Sequence, residues 1–436
     1  MSQKIEVEAV DALRRRLAVE IPAEAVSAEI ESSYDQLKRS ARVPGFRRGH
    51  VPRHVLERIF GDRVRAEVYE RLIQRSYAEA VQTSQLPVVG RPDITTERSA
   101  PGAVLRYTAT VEVKPEIDVQ GYDGLEVEQP VFEVSDADVD GYLEQMRQAA
   151  ARLHPVTERN VVEPGDVVTL DYEARIDGRV VGRAKDREVE LGNNGFPAGF
   201  DDQLRGAAVG GAANFELTYP TENVSGELAG KTVSFSVVVN AIGRKEIPEI
   251  DAEFAKDRGD CASVEELREQ VRVQLEAQAA ARSEEALRRG VLLRLAETND
   301  IPVPQALIDQ GLESLMDEVS HELRQQRLPL RNQEQLRKDL EPRAKEQVKL
   351  SLLLEAIANK ESVAVADADV DARIQQLAEQ AGAAGERVRA FYEDPAARRQ
   401  LGTSMLRSRA AELVVSKARA TKRPQSMQIA DATQNG

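Results

Sequence analysis

The spacing of apolar residues changes period several times along the chain, and each change marks an element or a domain. Residues 4–20 read mostly as strand and end at Ile21-Pro22, where the proline suits the first turn of a helix. That helix carries Val26, Ile30, Tyr34 and Leu37 on one face. A break over 41–52 follows. Residues 55–60 read as a short helix stopped at Gly61, and a longer helix carries Val64, Val68, Leu72, Ile73, Tyr77 and Val81. Two strands, 86–96 and 103–113, complete an α+β domain over 1–115. Residues 116–157 hold a strand-like run, 124–134, and a helix from Asp136 to about 153.

Alternation at period two returns over 161–244. It gives strands at 167–174, 213–219 and 232–242, a hairpin signal at Asp177-Gly178 and an irregular stretch at 192–199. This predicts a small β domain over 158–245, closed off by Pro248. From Ser263 the pattern is helical, with helices near 263–298, 304–327, 333–360, 367–380, 384–393 and 395–420. Ser263-Val264-Glu265-Glu266 has the spacing of a capping box. The helical domain is expected over 246–423, followed by a polar tail, 424–436, that reads as disordered. The fold class is multidomain α+β: an N-terminal α+β domain, a β domain inserted in the chain and a mostly α-helical C-terminal domain.

Composition refines this. Aromatics are 4% of the 436 residues and Trp is absent, which favours several small cores over one large one. A single cysteine, Cys261, excludes an intramolecular disulfide framework and fits a reducing compartment. The N-terminus lacks the apolar run of a signal peptide, and no stretch approaches a membrane span. A cytoplasmic protein with no membrane partner is expected. The net charge of −15 argues against wholesale nucleic-acid binding.

Against that acidic background one segment is inverted. From Lys38 to Arg65 there are nine basic residues and only two acids, Glu57 and Asp62. At its centre lies Pro44-Gly45-Phe46-Arg47-Arg48-Gly49-His50-Val51-Pro52, a loop by composition with an aromatic at its tip. Charge alone allows a solvated turn as readily as a docking device for an anionic partner.

Other candidates fall away on their residues. Asp136-Ala137-Asp138-Val139-Asp140-Gly141 matches the first half of a calcium loop, but its twelfth position is Arg147. The same run nearly recurs at 367–371, and both read as acids at helix N-termini. His50 and His54 flank Pro52 without a completing carboxylate or thiolate, so no metal is expected. No phosphate loop or dinucleotide fingerprint calls for a cofactor.

Gly45-Phe46-Arg47-Arg48-Gly49-His50-Val51-Pro52 resembles the G-F-R-x-G-x-x-P signature of the trigger factor family, ribosome-associated bacterial chaperones. The resemblance spans the whole chain. Val168-Thr169-Leu170-Asp171-Tyr172 and Ile176-Asp177-Gly178 are similar to the opening strand and turn of an FKBP-type prolyl isomerase. It implies an N-terminal ribosome-binding domain whose Gly45, Phe46, Arg47, Arg48 and Gly49 meet ribosomal RNA and protein beside the exit tunnel of the large subunit. It implies a helical domain whose arms hold nascent unfolded polypeptides for folding or export, with the linker helix packed into it. It allows a homodimer off the ribosome.

The resemblance also implies peptidyl-prolyl cis-trans isomerase activity at Tyr172, Phe200 and Phe235, without a cofactor. Three positions depart from the family pattern. Val181 and Asn223 stand where pocket aromatics are usual, and Pro197 stands where a backbone N–H normally meets the substrate carbonyl. Weak activity is expected. Two other readings stand beside this one: a free-standing isomerase with a helical recruiting domain, and an RNA-binding assembly protein. The eroded pocket counts against the former, and the acidic total against the latter.

Overall fold

The computed structural model describes residues 3–97, 103–192, 196–220, 230–326, 328 and 332–426. The chain divides into two compact units, one from 1–129 with 285–422 and one from 130–284 with 423–436.

The first unit opens with strands β1 (Lys4–Ala9) and β2 (Arg14–Ile21), helices α1 (Ala23–Ser40) and α2 (Arg53–Ser84), and strands β3 (Val88–Thr96) and β4 (Leu105–Val113). The strands form an antiparallel sheet in the order β1-β2-β4-β3. Inward positions alternate as the pleat requires: Leu17, Val19 and Ile21 from β2, Leu105, Tyr107, Ala109 and Val111 from β4. Against them pack Val26 and Tyr34 of α1 and Val64, Val68 and Leu72 of α2. The buried Tyr107 hydroxyl is satisfied by the Ser76 Oγ at 2.9 Å.

Helix α2 corrects the expected break at Gly61, since it runs unbroken for 32 residues. A mid-helix glycine costs about 1 kcal/mol. Here Val55 and Leu56 before it and Val64 and Val68 after it are buried in the same core, which outweighs that cost.

The rest of this unit is mostly helical. Along the chain follow β5 (Glu126–Glu133), α3 (Asp136–Ala149), β6 (Arg152–Pro155), β7 (Asp166–Ile176), β8 (Arg179–Glu190), α4 (Phe200–Leu204), β9 (Ala212–Thr218) and β10 (Thr232–Glu246). Then come α5 (Ala252–Gly259), α6 (Val264–Thr298), α7 (Gln305–Gln325), α8 (Gln333–Lys360), α9 (Asp367–Gln380), α10 (Gly385–Phe391), α11 (Pro395–Lys417) and β11 (Arg419–Ser426). Within the first unit, Val291, Leu295, Leu353, Ile357 and Val414 share one core with Val119 and Leu125. Helices α7 and α8 pair through Ile308, Leu312, Leu315 and Ala344. Polar contacts tie the N-terminal sheet to this body. The Glu112 carboxylate accepts the Ala306 N–H at the start of α7 at 2.8 Å, and Lys114 pairs with Glu355 at 2.8 Å.

The second unit holds the sheet β6-β10-β7-β8, with β9 also on β10. Asp177 and Gly178 both have positive φ, 49° and 81°, and join β7 to β8 as the hairpin signal requires. The helix expected to reach about residue 153 stops at Ala149, and 152–155 instead pair with the end of β10. Helix α3 carries a true capping box, Ser135 with Asp138, so its acids serve the helix end. At α6 only half the box forms: the Ser263 Oγ accepts the Glu266 N–H at 3.2 Å, while Glu266 accepts from the Ala262 N–H. Among the described residues no cluster of metal ligands occurs and no helix is long and apolar enough to cross a membrane.

Candidate functional site

The basic loop is built on two turns. The Phe46 N–H donates to the Val43 carbonyl at 3.1 Å and the His50 N–H to the Arg47 carbonyl at 3.0 Å. Each turn has glycine at its third position, Gly45 at φ 87° and Gly49 at φ 83°. That is the left-handed geometry a type II turn demands, and Pro44 presets the first of them. Ala41, Val43 and Val51 bury their side chains in the domain core and clamp the loop at both ends.

What the clamp holds outward is Phe46, 42% exposed, with Arg42, Arg47 and Arg48 around it. The Arg48 Nε donates to the Arg39 carbonyl at the end of α1 at 3.1 Å, which orients its remaining guanidinium N–H groups. Arg53 pairs with Glu57 at 2.7 Å and covers the Tyr34 ring, Arg63 pairs with Glu67 at 2.8 Å, and Arg65 pairs with Asp62. Among the described residues Arg42, Arg47 and Arg48 have no carboxylate partner. The tip is therefore cationic and apolar at once, and suited to phosphate, carboxylate and a stacking surface.

In the second unit an aromatic cluster forms where β7, β9, β10 and the approach to α4 meet. Phe200 and Phe235 are 1% and 2% exposed, with ring centroids 5.4 Å apart. Tyr172 lies at the rim, and its hydroxyl accepts from Arg187 Nη1 at 3.2 Å. A cavity of about 170 Å³ opens there, lined by Tyr172, Val181, Arg187, Tyr219 and Phe235 among others. Burial pushes the Tyr219 phenol up, Tyr172 adds to the shift and Arg187 opposes it, so Tyr219 stays a neutral donor.

Tyr172 and Phe235 thus meet at one pocket, with Val181 on its wall. Phe200 lies beneath, where Phe196 stacks on it at 4.0 Å and an interplanar angle of 8°. Pro197 is buried beside it, and Asn223 lies outside the described residues. Phe196, Tyr219 and Arg187 are pocket residues that the sequence reading passed over. In the Phe196-Pro197-Ala198-Gly199-Phe200 run the resemblance points to Pro197 and Phe200 and not to Phe196.

Models of bacterial trigger factor protein match residues 3–146 and, for its C-terminus, 263–416. A model of FKBP-type peptidyl-prolyl cis-trans isomerase matches 158–240. The trigger factor of Geobacter metallireducens is 37% identical over 393 residues, covering 89% of this chain and 91% of its own. The chain belongs to the trigger factor family. The trigger factor of Geotalea daltonii is 34% identical over 426 residues, covering 96% and 98%. A solved structure from work on promiscuous substrate recognition by the trigger factor chaperone aligns with 94% of this chain and 99% of its own, at TM-score 0.49 and 21% identity. The protein is a ribosome-associated molecular chaperone with an FKBP-type prolyl isomerase domain, and trigger factor membership implies that it binds ribosomes and nascent chains. A free-standing isomerase is not favoured.

Proposed function

We propose that the loop over 41–52 is the ribosome-docking contact, with Phe46, Arg47 and Arg48 making it and Gly45 and Gly49 shaping it. Its place is beside the exit tunnel of the large subunit, against ribosomal RNA and a ribosomal protein. The single observation that carries this reading is the exposed Phe46 among arginines that lack carboxylate partners among the described residues, held on a clamped double turn. The division of labour follows the expected boundaries: docking over 1–115, linker over 116–157, isomerase over 158–245, chaperone body over 246–423, with 424–436 as tail. The body offers nascent chains exposed Leu293, Leu328 and Phe391 and a groove of about 460 Å³ between α7, α8 and α11. Weak apolar contacts at several such points add up through multivalency. Off the ribosome the acidic whole and the basic loop favour self-association as a homodimer, and the working compartment is the cytoplasm.

The isomerase pocket works by taking an X-Pro amide out of water among Tyr172, Phe200 and Phe235, which favours the twisted amide over the planar one. The barrier to be lowered is about 18–20 kcal/mol. Pro197 offers no N–H to the substrate carbonyl, and Val181 narrows the aromatic wall, so catalysis is weak. Cosedimentation with ribosomes tests the docking reading. Wild type pellets with ribosomes, and the triple change Phe46→Ala, Arg47→Ala, Arg48→Ala does not. Equal pelleting by both sinks it.

A further inference from the structure

We infer that Phe196 plugs the isomerase pocket: its ring sits where a substrate proline ring belongs, so the resting pocket is closed by its own chain. The inference rests on the reading of this pocket as the isomerase site. The Phe196 ring lies flat on Phe200, centroids 4.0 Å apart, and so hides the aromatic floor. It presents an edge-to-face contact to Tyr172 at 5.3 Å and another to Phe235 at 6.1 Å. The Arg187 guanidinium lies over the same ring at 5.2 Å. Phe196 thus makes the contacts with all three expected pocket aromatics that a bound proline ring would make. The cavity left open is about 170 Å³. Pockets that hold small ligands are typically about 300–1,000 Å³.

Phe196 differs from its neighbours in burial. Phe200 and Phe235 are fully enclosed, whereas Phe196 is only partly buried. A partly buried ring gives up less on leaving, which makes it the member of the cluster that can be exchanged for substrate. Binding then draws on the fraction of molecules in which the ring has swung out, and apparent affinity falls by that fraction. From the burial and stacking of such a ring, the reduction is on the order of 10–100-fold. This separates two effects that a weak enzyme would otherwise merge. Phe196 governs entry and acts on KM, while Pro197, lacking an N–H for the carbonyl, acts on kcat.

The test uses the full chain and a blocked Ala-Leu-Pro-Phe tetrapeptide, with binding followed by calorimetry and cis-trans exchange by NMR. Phe196→Ala is expected to bind the peptide about 10–100-fold more tightly than wild type, lowering KM with little change in kcat. Phe196→Val should fall between, and Phe196→Ala with Pro197→Ile should raise kcat as well. Should Phe196→Ala fail to fold, Phe196→Val decides by the same criterion. Binding no tighter than wild type in a folded variant overturns the inference and makes Phe196 the floor of the site. If Tyr172→Ala leaves exchange unchanged in both wild type and Phe196→Ala, the pocket reading itself fails and the plug fails with it. A drop on Tyr172→Ala without a gain on Phe196→Ala sinks the plug alone.

Discussion

The proposed docking loop and the aromatic pocket handle their chemistry in opposite ways. At the loop the apolar residues Ala41, Val43 and Val51 point inward, and Phe46, Arg47 and Arg48 are left exposed, the arginines without a carboxylate partner among the described residues. At the pocket the functional rings point inward and satisfy one another. A site for a large, rigid, charged surface gains from presentation, because its partner brings the complementary groups. A site for a small ring must be empty to work, and apolar side chains left around an empty space collapse into it.

The largest effect expected from breaking this contrast is at the pocket. Phe235→Ala should cost the isomerase domain about 3–5 kcal/mol, read by its thermal unfolding, with ribosome cosedimentation unchanged. Ribosome binding that fell with it would show that the two sites are not independent. Next comes Arg47→Ala with Arg48→Ala. With charge-assisted hydrogen bonds worth about 1.5–3 kcal/mol each, ribosome affinity should drop at least about 100-fold. The slope of log affinity against log salt should also shrink by about 1 per arginine. Gly49→Ala puts a side chain at φ 83° with no neighbour to clash with, so only backbone strain is added. About 1–2 kcal/mol of strain predicts roughly five- to thirtyfold weaker docking.

Acid should act on the pocket's domain and spare the loop. Burial raises the Asp166 carboxyl, but the Arg159 guanidinium at 2.5 Å and the Glu163 N–H outweigh it and hold it below the usual range. A depressed carboxyl contributes stability above its unfolded pKa of about 3.9 and loses it as pH falls below that value. Melting of the isomerase domain should steepen below about pH 4, and Asp166→Asn should flatten that profile. The smallest effect is a gain. Gly61→Ala places a methyl 3.6 Å from the Tyr34 hydroxyl, an ordinary contact, and should stabilise α2 by about 0.5–1 kcal/mol without touching docking.

How much of this was legible in the chain follows the same divide. The loop could be read because its determinants are local: Pro44-Gly45 and Arg48-Gly49 write the turns, and the arginines stand beside them. The pocket draws on β7, β8, the approach to α4, Tyr219 after β9, and β10, and the direction of Phe196 is set by rings up to 39 positions away in sequence. The resemblance names Tyr172, Phe200 and Phe235, but nothing in the sequence says which phenylalanine covers which. Strand β8 buries only Val189, and β11 buries nothing, so neither carries the alternation by which strands are recognised. Gly61 misled for the opposite reason, a strong local signal overruled by packing on both sides.

The unit that contains the basic loop is assembled from two separated stretches of the chain, 1–129 and 285–422, with residues 130–284 made in between. During synthesis this imposes a wait. The Glu112 carboxylate that will accept the Ala306 N–H, and the Lys114 that will meet Glu355, emerge long before their partners exist. At about 5–20 residues per second, the delay is roughly 10–50 seconds. Throughout it β3 offers the Gly90 backbone, against which Ala306 will later lie, as an unfinished seam. A protein that shelters incomplete chains thus passes through its own interval of incompleteness, with its N-terminal sheet made long before the helices that brace it.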